Sequence, residues 1–220
     1  MPIRFTKRTG GVSHGAFASL NLGDHVGDDP ASVAQNRQIA SAELGEVQFM
    51  NQVHGDRIAI IEQVTTEVPT ADALVTGIPG IALGVMVADC IPLLLASNEV
   101  VAAVHVGRKG LVNDIARKTI SLMKEMGASS ITANIGPSIC GPCYEVSEDV
   151  YNEVVALHPA AQSRTPIGTY ALDLPAALRQ VLADEGVSIL DHHICTLESQ
   201  DHFSYRRDGI TGRQAGIISL

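Results

Sequence analysis

Three long apolar segments, separated by only a few polar residues, constrain the middle of the chain most strongly. They cover residues 81–88, 91–96 and 100–104 and are rich in Val, Ile and Leu. Apolar runs of this length predict β-strands that are buried on both faces. A short polar break at residues 97–99 separates the second run from the third, and predicts that these two strands form a hairpin.

Reactive side chains lie at the ends of these predicted strands. Asp89 and Cys90 follow the first run, and His105 follows the third. The predicted hairpin would fold the chain back and bring His105 near Cys90. A Cys and a His delivered by rigid strands could belong to a zinc site or form a nucleophile–base pair, and the sequence does not distinguish the two.

The whole sequence predicts one α/β domain over residues 1–220 with a mixed sheet, because the predicted strands and helices follow one another without strict alternation. Further strands are predicted at residues 3–7, 47–53, 57–63, 131–135, 187–190 and 215–220. Helices are predicted at residues 30–44, 107–126, 147–157 and 174–185, each from its apolar face and its end signals. Residues 9–29, 64–80 and 160–173 are expected to be loops.

Charge and composition exclude several kinds of partner. The net charge of −9, the lack of Trp and the 4% aromatic content argue against a nucleic-acid or anionic-membrane surface. The first residues contain no apolar signal segment, and Asp89 and Pro92 break the longest apolar stretch. Four scattered cysteines are typical of reduced thiols. We therefore expect a cytoplasmic protein; no oligomeric state is predicted.

The first chemical hypothesis is a zinc site formed by His54, Cys90 and His105. Imidazole and thiolate are zinc ligands, and three of them leave a fourth position for a water with a lowered pKa. No local zinc motif supports the spacing. Three alternatives remain. The cluster could be a structural Cys with two unrelated His, or a hydrolase could use Cys90 and His105. The third is a binding protein in which Cys143 or His25 supplies a fourth zinc ligand.

The cysteines and histidines also bear on two redox functions, a thioredoxin-type dithiol and a multicopper oxidase. The segment Cys140-Gly-Pro-Cys143 matches the C-G-P-C of thioredoxin-type proteins and follows a predicted strand, but the Trp usual before it is replaced by Ile139. A multicopper oxidase needs many histidines, largely in H-x-H pairs. This chain has eight His and no H-x-H, so we do not expect a multicopper centre.

Nine short segments, in this order, resemble the YfiH/YlmD family. That family was formerly described as laccase-like polyphenol oxidases and is now regarded as purine nucleoside phosphorylases. The segments are 19–30 (SLNLGDHVGDDP), 36–37 (NR), 52–55 (QVHG), 71–76 (ADALVT), 88–92 (ADCIP), 105–111 (HVGRKGL), 136–139 (GPSI), 143–146 (CYEV) and 203–213 (FSYRRDGITGR).

The resemblance implies a fold, an activity and a metal. It implies Zn²⁺ on His54, Cys90 and His105, and a mixed α/β sandwich flanked by helices, shared with enzymes of the cytotoxic necrotizing factor type. The implied activity is phosphorolysis of adenosine, inosine, guanosine and methylthioadenosine to the base and ribose 1-phosphate. Hydrolytic deamination of adenosine to inosine is implied as well.

The sequence also suggests roles for residues outside the proposed metal site. Asp89 is a candidate catalytic residue for proton transfer, and Asp72 and Asp89 could instead cap turns or orient histidines. The candidate substrate-binding residues are Asn21, His25, Arg37, Arg108, Lys109 and Arg206. Surface charge is the alternative for the four cations, and loop capping is the alternative for the other two.

One segment departs from the family pattern. Many members read H-A-G-W-R-G where this chain reads His105-Val-Gly-Arg-Lys-Gly, so Lys109 replaces an Arg. Two cations between glycines at a predicted helix start could bind an anion, and a solvated basic turn is the alternative. Because Lys lacks the planar fork of Arg, phosphate affinity or substrate preference could differ.

Overall fold

Two packed β-sheets with helices on both outer faces make up the molecule. The computed structural model describes residues 2–42 and 44–220. Its strands are β1 (Ile3–Phe5), β2 (Val47–Gln48), β3 (Ile58–Ile60), β4 (Ala73–Thr76), β5 (Ala82–Val87), β6 (Ile91–Ala96), β7 (Val101–Val106), β8 (Thr132–Ile135), β9 (Gln162–Arg164), β10 (Tyr170–Leu172), β11 (Ser188–Asp191) and β12 (Gln214–Ser219). Its helices are α1 (Pro30–Ser41), α2 (Arg108–Val112), α3 (Ile115–Glu125), α4 (Glu148–Leu157), α5 (Leu174–Asp184) and α6 (Tyr205–Asp208).

The sheets are mixed, as predicted. One has the strand order β11-β8-β6-β7-β4-β3 and the other β1-β12-β5-β2, and β9 pairs with β10 in a surface hairpin. Strands β3 and β4, β2 and β5, and β8 and β11 run parallel, whereas the other pairs are antiparallel. The predicted hairpin of the second and third apolar segments is confirmed as β6 and β7.

Alternate residues of β6 face different parts of the core. Leu93 and Leu95 belong to the cluster that includes residues of α3 and α5, whereas Leu94 packs with residues of β5 in the cluster between the two sheets. Both faces of β6 are therefore buried, which explains its continuous apolar sequence. A third cluster, including Ala40 of α1 and Met86 of β5, covers the outer face of the smaller sheet.

Helix boundaries follow local signals at some ends and depart from them at others. Asp29 caps α1 by accepting a 2.9 Å hydrogen bond from the backbone N–H of Ser32, and Pro30 begins the helix, as predicted. The single helix predicted at residues 107–126 is wrong: α2 and α3 are separate, because Asp114 lies between them in the left-handed region with φ 58°. No helix in the described ranges is long and apolar enough to cross a membrane.

Several short elements differ from the sequence prediction. The expected loop at 64–80 contains β4, and the expected loop at 160–173 contains β9 and β10. The strands predicted at 47–53 and 57–63 reduce to β2 and β3. Elements of two to four residues carry little periodicity, so pairing with distant strands decides their structure.

Candidate functional site

The side chains of His54, Cys90 and His105 converge at one end of the β6–β7 hairpin. Their ligand atoms all lie within 4.8 Å of one another. His54 Nε2 is 3.9 Å from Cys90 Sγ, and the two imidazole rings meet edge to face with their centres 4.7 Å apart. The structure thus brings together the three residues that the sequence analysis proposed as metal ligands.

The hairpin register positions two of the three side chains. Ile91 pairs with Val106 and Pro92 pairs with His105, so Cys90, just before β6, lies beside the end of β7. His105 is buried within β7, one residue before its end, and Cys90 is half-buried. Regular strand pairing therefore fixes the distance between the thiol and the imidazole.

Asp72 organises the third member of the cluster. Its fully buried carboxylate accepts hydrogen bonds from the backbone N–H groups of Val53 (3.3 Å), His54 (2.9 Å) and Gly55 (2.7 Å). It also lies 2.8 Å from His105 Nδ1. One carboxylate therefore closes the turn that carries His54 and engages Nδ1 of His105, which leaves Nε2 of that ring available to a ligand.

Asp89 holds the turn that precedes Cys90. It has φ 92°, a left-handed conformation that costs energy for a residue with a side chain. Its carboxylate accepts hydrogen bonds from Thr196 Oγ1 (2.7 Å) and the backbone N–H of Arg206 (2.6 Å), and its carbonyl accepts one from Ile139 N–H (2.9 Å). Since both carboxylate oxygens have partners, the geometry favours a positioning role over the predicted catalytic one.

Cys90 and His105 shift each other's pKa in opposite directions. Burial raises the pKa of the Cys90 thiol, but the neighbouring His105 and His54 outweigh it and lower that pKa to about 6. Burial lowers the pKa of His105, but Cys90 and Asp72 outweigh it and raise that pKa to about 9. Without a metal these opposite shifts favour the thiolate form of Cys90 and the charged form of His105.

A cavity of about 230 Å³ opens onto the cluster. It is lined by His25, Gln52, His54, Met86, Val87, Ala88, Cys90, His105, Tyr205 and Arg213. A neighbouring cavity of about 280 Å³ shares His25 and Met86 with it and adds Arg37 and Phe49. A larger groove of about 690 Å³ along residues 57–70 has no His or Cys in its lining, so its size does not make it the better candidate.

The donor set and the space around it fit a metal ion. One thiolate and two imidazoles are ordinary zinc ligands. A Cβ at Gly107 would lie 3.0 Å from Cys90 Sγ and 3.2 Å from His54 Cδ2, so the glycine keeps the space beside these ligands open. Among the described residues, no further His, Cys, Asp or Glu joins the cluster, and the sequence-based suggestion of Cys143 or His25 as a fourth ligand is not supported by the geometry.

His25 and Arg37, both predicted to contact substrate, lie beside the cavities. His25 lines both cavities, and burial and then the charge of Arg213 lower its pKa. Arg37 lines the neighbouring cavity, where its guanidinium lies 4.8 Å from the centre of the Phe49 ring. Its Nη2 is 3.1 Å from Asp24 Oδ2, so the cation is already partly neutralised.

Asn21 has a framework role in the structure. It is fully buried; its Nδ2 donates to Asp28 Oδ2 (2.8 Å) and Gly23 O (3.0 Å). Its Oδ1 accepts from the backbone N–H groups of Gly23 (2.9 Å) and Arg213 (2.8 Å). These bonds correspond to loop capping, the alternative to the predicted substrate contact.

The other predicted cations stand outside the cavity lining. Arg108 pairs with Glu153 at 3.4 Å, and Lys109 is exposed. Arg206 donates to the carbonyl of Glu145 at 2.8 Å, and its guanidinium lies over the ring of Tyr144. The structure therefore does not gather the four cations that were predicted to bind substrate around one point.

Sequence reasoning named Asp72 as a residue that could cap a turn or orient histidines, and it missed Gln52, Tyr205 and Arg213 in the cavity lining. Gln52 is bound to the backbone of Met86 through both ends of its amide, at 2.8 and 2.9 Å. All four occur in the segments that resemble the YfiH/YlmD family, which was the available signal.

Comparisons with known proteins agree in fold and family. The family model described as multi-copper polyphenol oxidoreductase laccase matches residues 2–220. A Streptomyces coelicolor protein named purine nucleoside phosphorylase is 46% identical and covers 98% of this chain and 94% of its own length. The crystal structure of a Neisseria meningitidis DUF152 protein is 37% identical, covers 99% of this chain and 93% of its own, and has a TM-score of 0.90. That of YfiH from Bacillus licheniformis is 31% identical, covers 98% and 91%, and has a TM-score of 0.89.

Proposed function

Since this chain belongs to the YfiH/DUF152 family, described as multi-copper polyphenol oxidoreductase laccase, and its relatives carry the name purine nucleoside phosphorylase, we propose that it is a purine nucleoside phosphorylase. Its substrates would be a purine nucleoside, such as adenosine, inosine, guanosine or methylthioadenosine, and inorganic phosphate. The observation that carries the proposal is the His54, Cys90 and His105 cluster at the cavity of a chain 46% identical to a protein of that name.

We propose Zn²⁺ as the metal, held by His54, Cys90 and His105. Zinc, when bound, supplies a Lewis acid that stabilises negative charge developing next to it. Although the family description names several coppers, this cluster of the described residues contains only two histidines. Multicopper centres rely largely on histidine, so one zinc ion suits the cluster better.

The lining residues suggest how the substrates would lie. Met86 and Val87 offer apolar surface for a purine ring, and Arg213 is the cation that shares the cavity with Cys90. A phosphate oxygen would attack C1′ of the ribose while the bond from C1′ to the purine nitrogen breaks and its electron pair leaves with the base. Arg213, with Arg37 from the neighbouring cavity, would bind the phosphate by charge-assisted hydrogen bonds.

Asp72 and Asp89 would act by positioning other groups. Asp72 fixes the ring of His105 and the turn of His54, and Asp89 fixes the turn of Cys90. A preorganised cluster of this kind avoids the cost of arranging ligands during each turnover.

The test is chromatography of adenosine, inosine and guanosine incubated with the purified protein, with and without phosphate. A Cys90→Ala variant, purified in the same way, controls for host phosphorylase. We expect free base and ribose 1-phosphate only when phosphate and Cys90 are both present. Adenosine converted to inosine in both buffers, again only with Cys90, would add the deaminase activity that the resemblance implied.

A Cys–His hydrolase is a second candidate, because the lowered pKa of Cys90 favours a thiolate nucleophile and the raised pKa of His105 favours an imidazolium that can act as the general acid in the metal-free protein. Hydrolytic products that persist after removal of zinc, and that disappear in Cys90→Ala, would favour this candidate. No Cys90-dependent product from any of the three nucleosides would contradict the phosphorylase proposal and favour the zinc-stabilised binding protein considered above.

A further inference from the structure

A second group of side chains with metal-binding chemistry lies apart from the His54 cluster. Cys140, Cys143, Cys195 and Glu198 bring their ligand atoms within 4.8 Å of one another. The proposed phosphorylase function gives these residues no role. The four form a separate set of donors: three thiols and one carboxylate.

The first two thiols come from one tight turn. Cys140 and Cys143 flank Gly141 and Pro142, and residues Gly141–Cys143 form a 3-10 turn in which the backbone N–H of Cys143 donates to Cys140 O at 3.1 Å. A spacing of two residues between cysteines lets both sulfurs reach one ion, as in many structural zinc sites.

The other two donors come from a second turn. The backbone N–H of Ser199 donates to Cys195 O at 3.0 Å and closes the turn that carries Cys195 and Glu198. The two turns are joined by backbone hydrogen bonds between Thr196 N–H and Ser138 O, at 3.1 Å, and between Ser138 N–H and the carbonyl of the residue before Cys195, also at 3.1 Å. Strand-like pairing therefore fixes both turns relative to each other.

The distances suit a tetrahedral ion. Cys143 Sγ lies 3.7 Å from Glu198 Oε1. Zinc–sulfur bonds of about 2.3 Å and zinc–oxygen bonds of about 2.1 Å place such a pair about 3.6 Å apart, and two sulfurs about 3.8 Å apart. The backbone N–H of Cys140 also points to Cys195 Sγ at 3.4 Å, a contact that stabilises a thiolate.

The chemistry of the four donors suits a divalent cation. The three sulfurs and the carboxylate oxygen lie within 4.8 Å of one another, so one ion could contact all four. A divalent ion deprotonates cysteine thiols as it binds, and the thiolates and the carboxylate then balance its charge.

The interpretation of C-G-P-C as a thioredoxin-type redox motif fits the structure less well than a metal site does. Reactive redox cysteines have a lowered pKa and usually stand at a helix N-terminus. Here the two cysteines flank a short 3-10 turn, and α4 begins only at Glu148. The presence of Cys195 and Glu198 beside the pair also has no counterpart in a two-cysteine redox motif.

We propose that Cys140, Cys143, Cys195 and Glu198 bind a second Zn²⁺ ion with a structural role. Four protein ligands close the coordination sphere, as in structural zinc sites, whereas the three-ligand cluster at the cavity is open. The site joins the segment after β8 to the segment after β11. Both segments also bind Asp89, through Ile139 N–H and Thr196 Oγ1, so the ion would brace the turn that carries Cys90.

The test is the zinc content of the full-length protein, purified under reducing conditions and measured by mass spectrometry of the metal. We expect two zinc ions per chain in the wild type. We expect one in Cys90→Ser, which removes a ligand of the cavity cluster only, and one in Cys143→Ser. Pro142→Ala, an exposed position between the two cysteines, is the matched control and should keep two.

Cobalt replacement assigns the ions to their sites. Thiolate-to-cobalt absorption grows with the number of thiolate ligands, so Cys90→Ser should keep roughly three quarters of the wild-type band and Cys143→Ser roughly one quarter. This readout does not depend on phosphorolysis, so its failure is distinguishable from failure of the proposed function.

Two results would overturn the proposal. One is a single zinc ion in the wild type and none in Cys90→Ser, a comparison that does not require Cys143→Ser to fold. The other is a mass spectrum of the reduced, metal-replete protein in which an alkylating reagent modifies Cys140, Cys143 and Cys195 as fast as in the chelator-treated protein.

Discussion

The carboxylate of Asp72 lies 2.8 Å from Nδ1 of His105, and both side chains are buried. The same carboxylate receives the backbone N–H of His54. Two proposed zinc ligands from distant parts of the sequence therefore depend on one acidic side chain, which is not itself a proposed ligand.

Replacing Asp72 by Asn should weaken zinc binding about 10- to 100-fold, because the amide cannot accept all the hydrogen bonds now made by the carboxylate. Competition with a chromophoric chelator, using Cys143→Ser protein to isolate the cavity site, measures the affinity. Asp56→Asn, which removes an exposed carboxylate paired with Lys118, is the control. Equal affinities in the two variants would show that Asp72 does not orient the ligands.

Gly107→Ala should reduce phosphorolysis by at least about 10-fold, because the new methyl group would fall 3.0 Å from Cys90 Sγ and push it or His54 aside. Gly77→Ala, where the nearest atom is a backbone oxygen at 3.3 Å, is a matched control. Steady-state rates and thermal unfolding would be measured together. Full activity with wild-type zinc content in Gly107→Ala would contradict the proposed position of the metal.

In the zinc-free protein, alkylation of Cys90 by iodoacetamide should reach half its maximal rate near pH 6, because its pKa is lowered to about 6. The sign follows from the depressed pKa: the reactive thiolate prevails above that pH and is lost as the pH falls through it. At pH 7 roughly 90% of the thiol would be ionised, against a few per cent for an ordinary cysteine. Peptide mass spectrometry measures the rate.

His105→Gln should move that alkylation profile toward higher pH, since the positive charge beside the thiolate is removed. Added zinc should protect Cys90 in the wild type. An unchanged profile in the variant would mean that His105 is not the source of the low pKa.

Arg213→Gln should raise the KM for phosphate about 10-fold or more, because a charge-assisted hydrogen bond is lost, and Arg213→Lys should recover part of the effect. Lys109→Gln should leave this KM unchanged, since Lys109 is exposed and outside the cavity lining. Initial rates at varied phosphate and fixed inosine test both. The reverse result would return the phosphate site to the basic turn predicted from the sequence.

The purified protein should be colourless. A Cys and two His are also the donors of blue-copper sites, which absorb red light strongly through the copper–thiolate bond. Visible absorption and metal analysis of the protein as isolated separate the two metals. A blue protein that contains stoichiometric copper would contradict the zinc assignment.

The sequence alone could place Cys90 beside His105, because only three polar residues separate the two apolar strands of the hairpin. It indicates that Asp72 could cap a turn or orient a histidine, but not which turn and which ring its carboxylate binds. That role requires the parallel pairing of β3 with β4, which brings the turn at residues 53–55 to the start of β4. Parallel neighbours leave no local turn signal in the sequence.

Arg213 shows the same limit at a longer range. It reaches the cavity because β12 pairs with β5, with Gln214 opposite Val87. No local sequence pattern at Gln214 or Val87 predicts this pairing, since both strands are short and apolar. The segment that contains Arg213 resembles the family, but the sequence does not indicate that this cation, among those of the resembling segments, lies at the cavity.

The convergence of His54, Cys90 and His105 also links metal binding to the stability of the folded chain. The three ligands belong to separate segments, so a metal ion can bind only one of them at a time in an extended chain. The paired strands of the folded chain bring all three to the same ion. A metal ion that prefers the folded chain shifts the folding equilibrium toward it, by about 4 kcal/mol when free metal exceeds the dissociation constant 1,000-fold. The supply of metal would thus influence the lifetime of the folded protein as well as its catalytic rate.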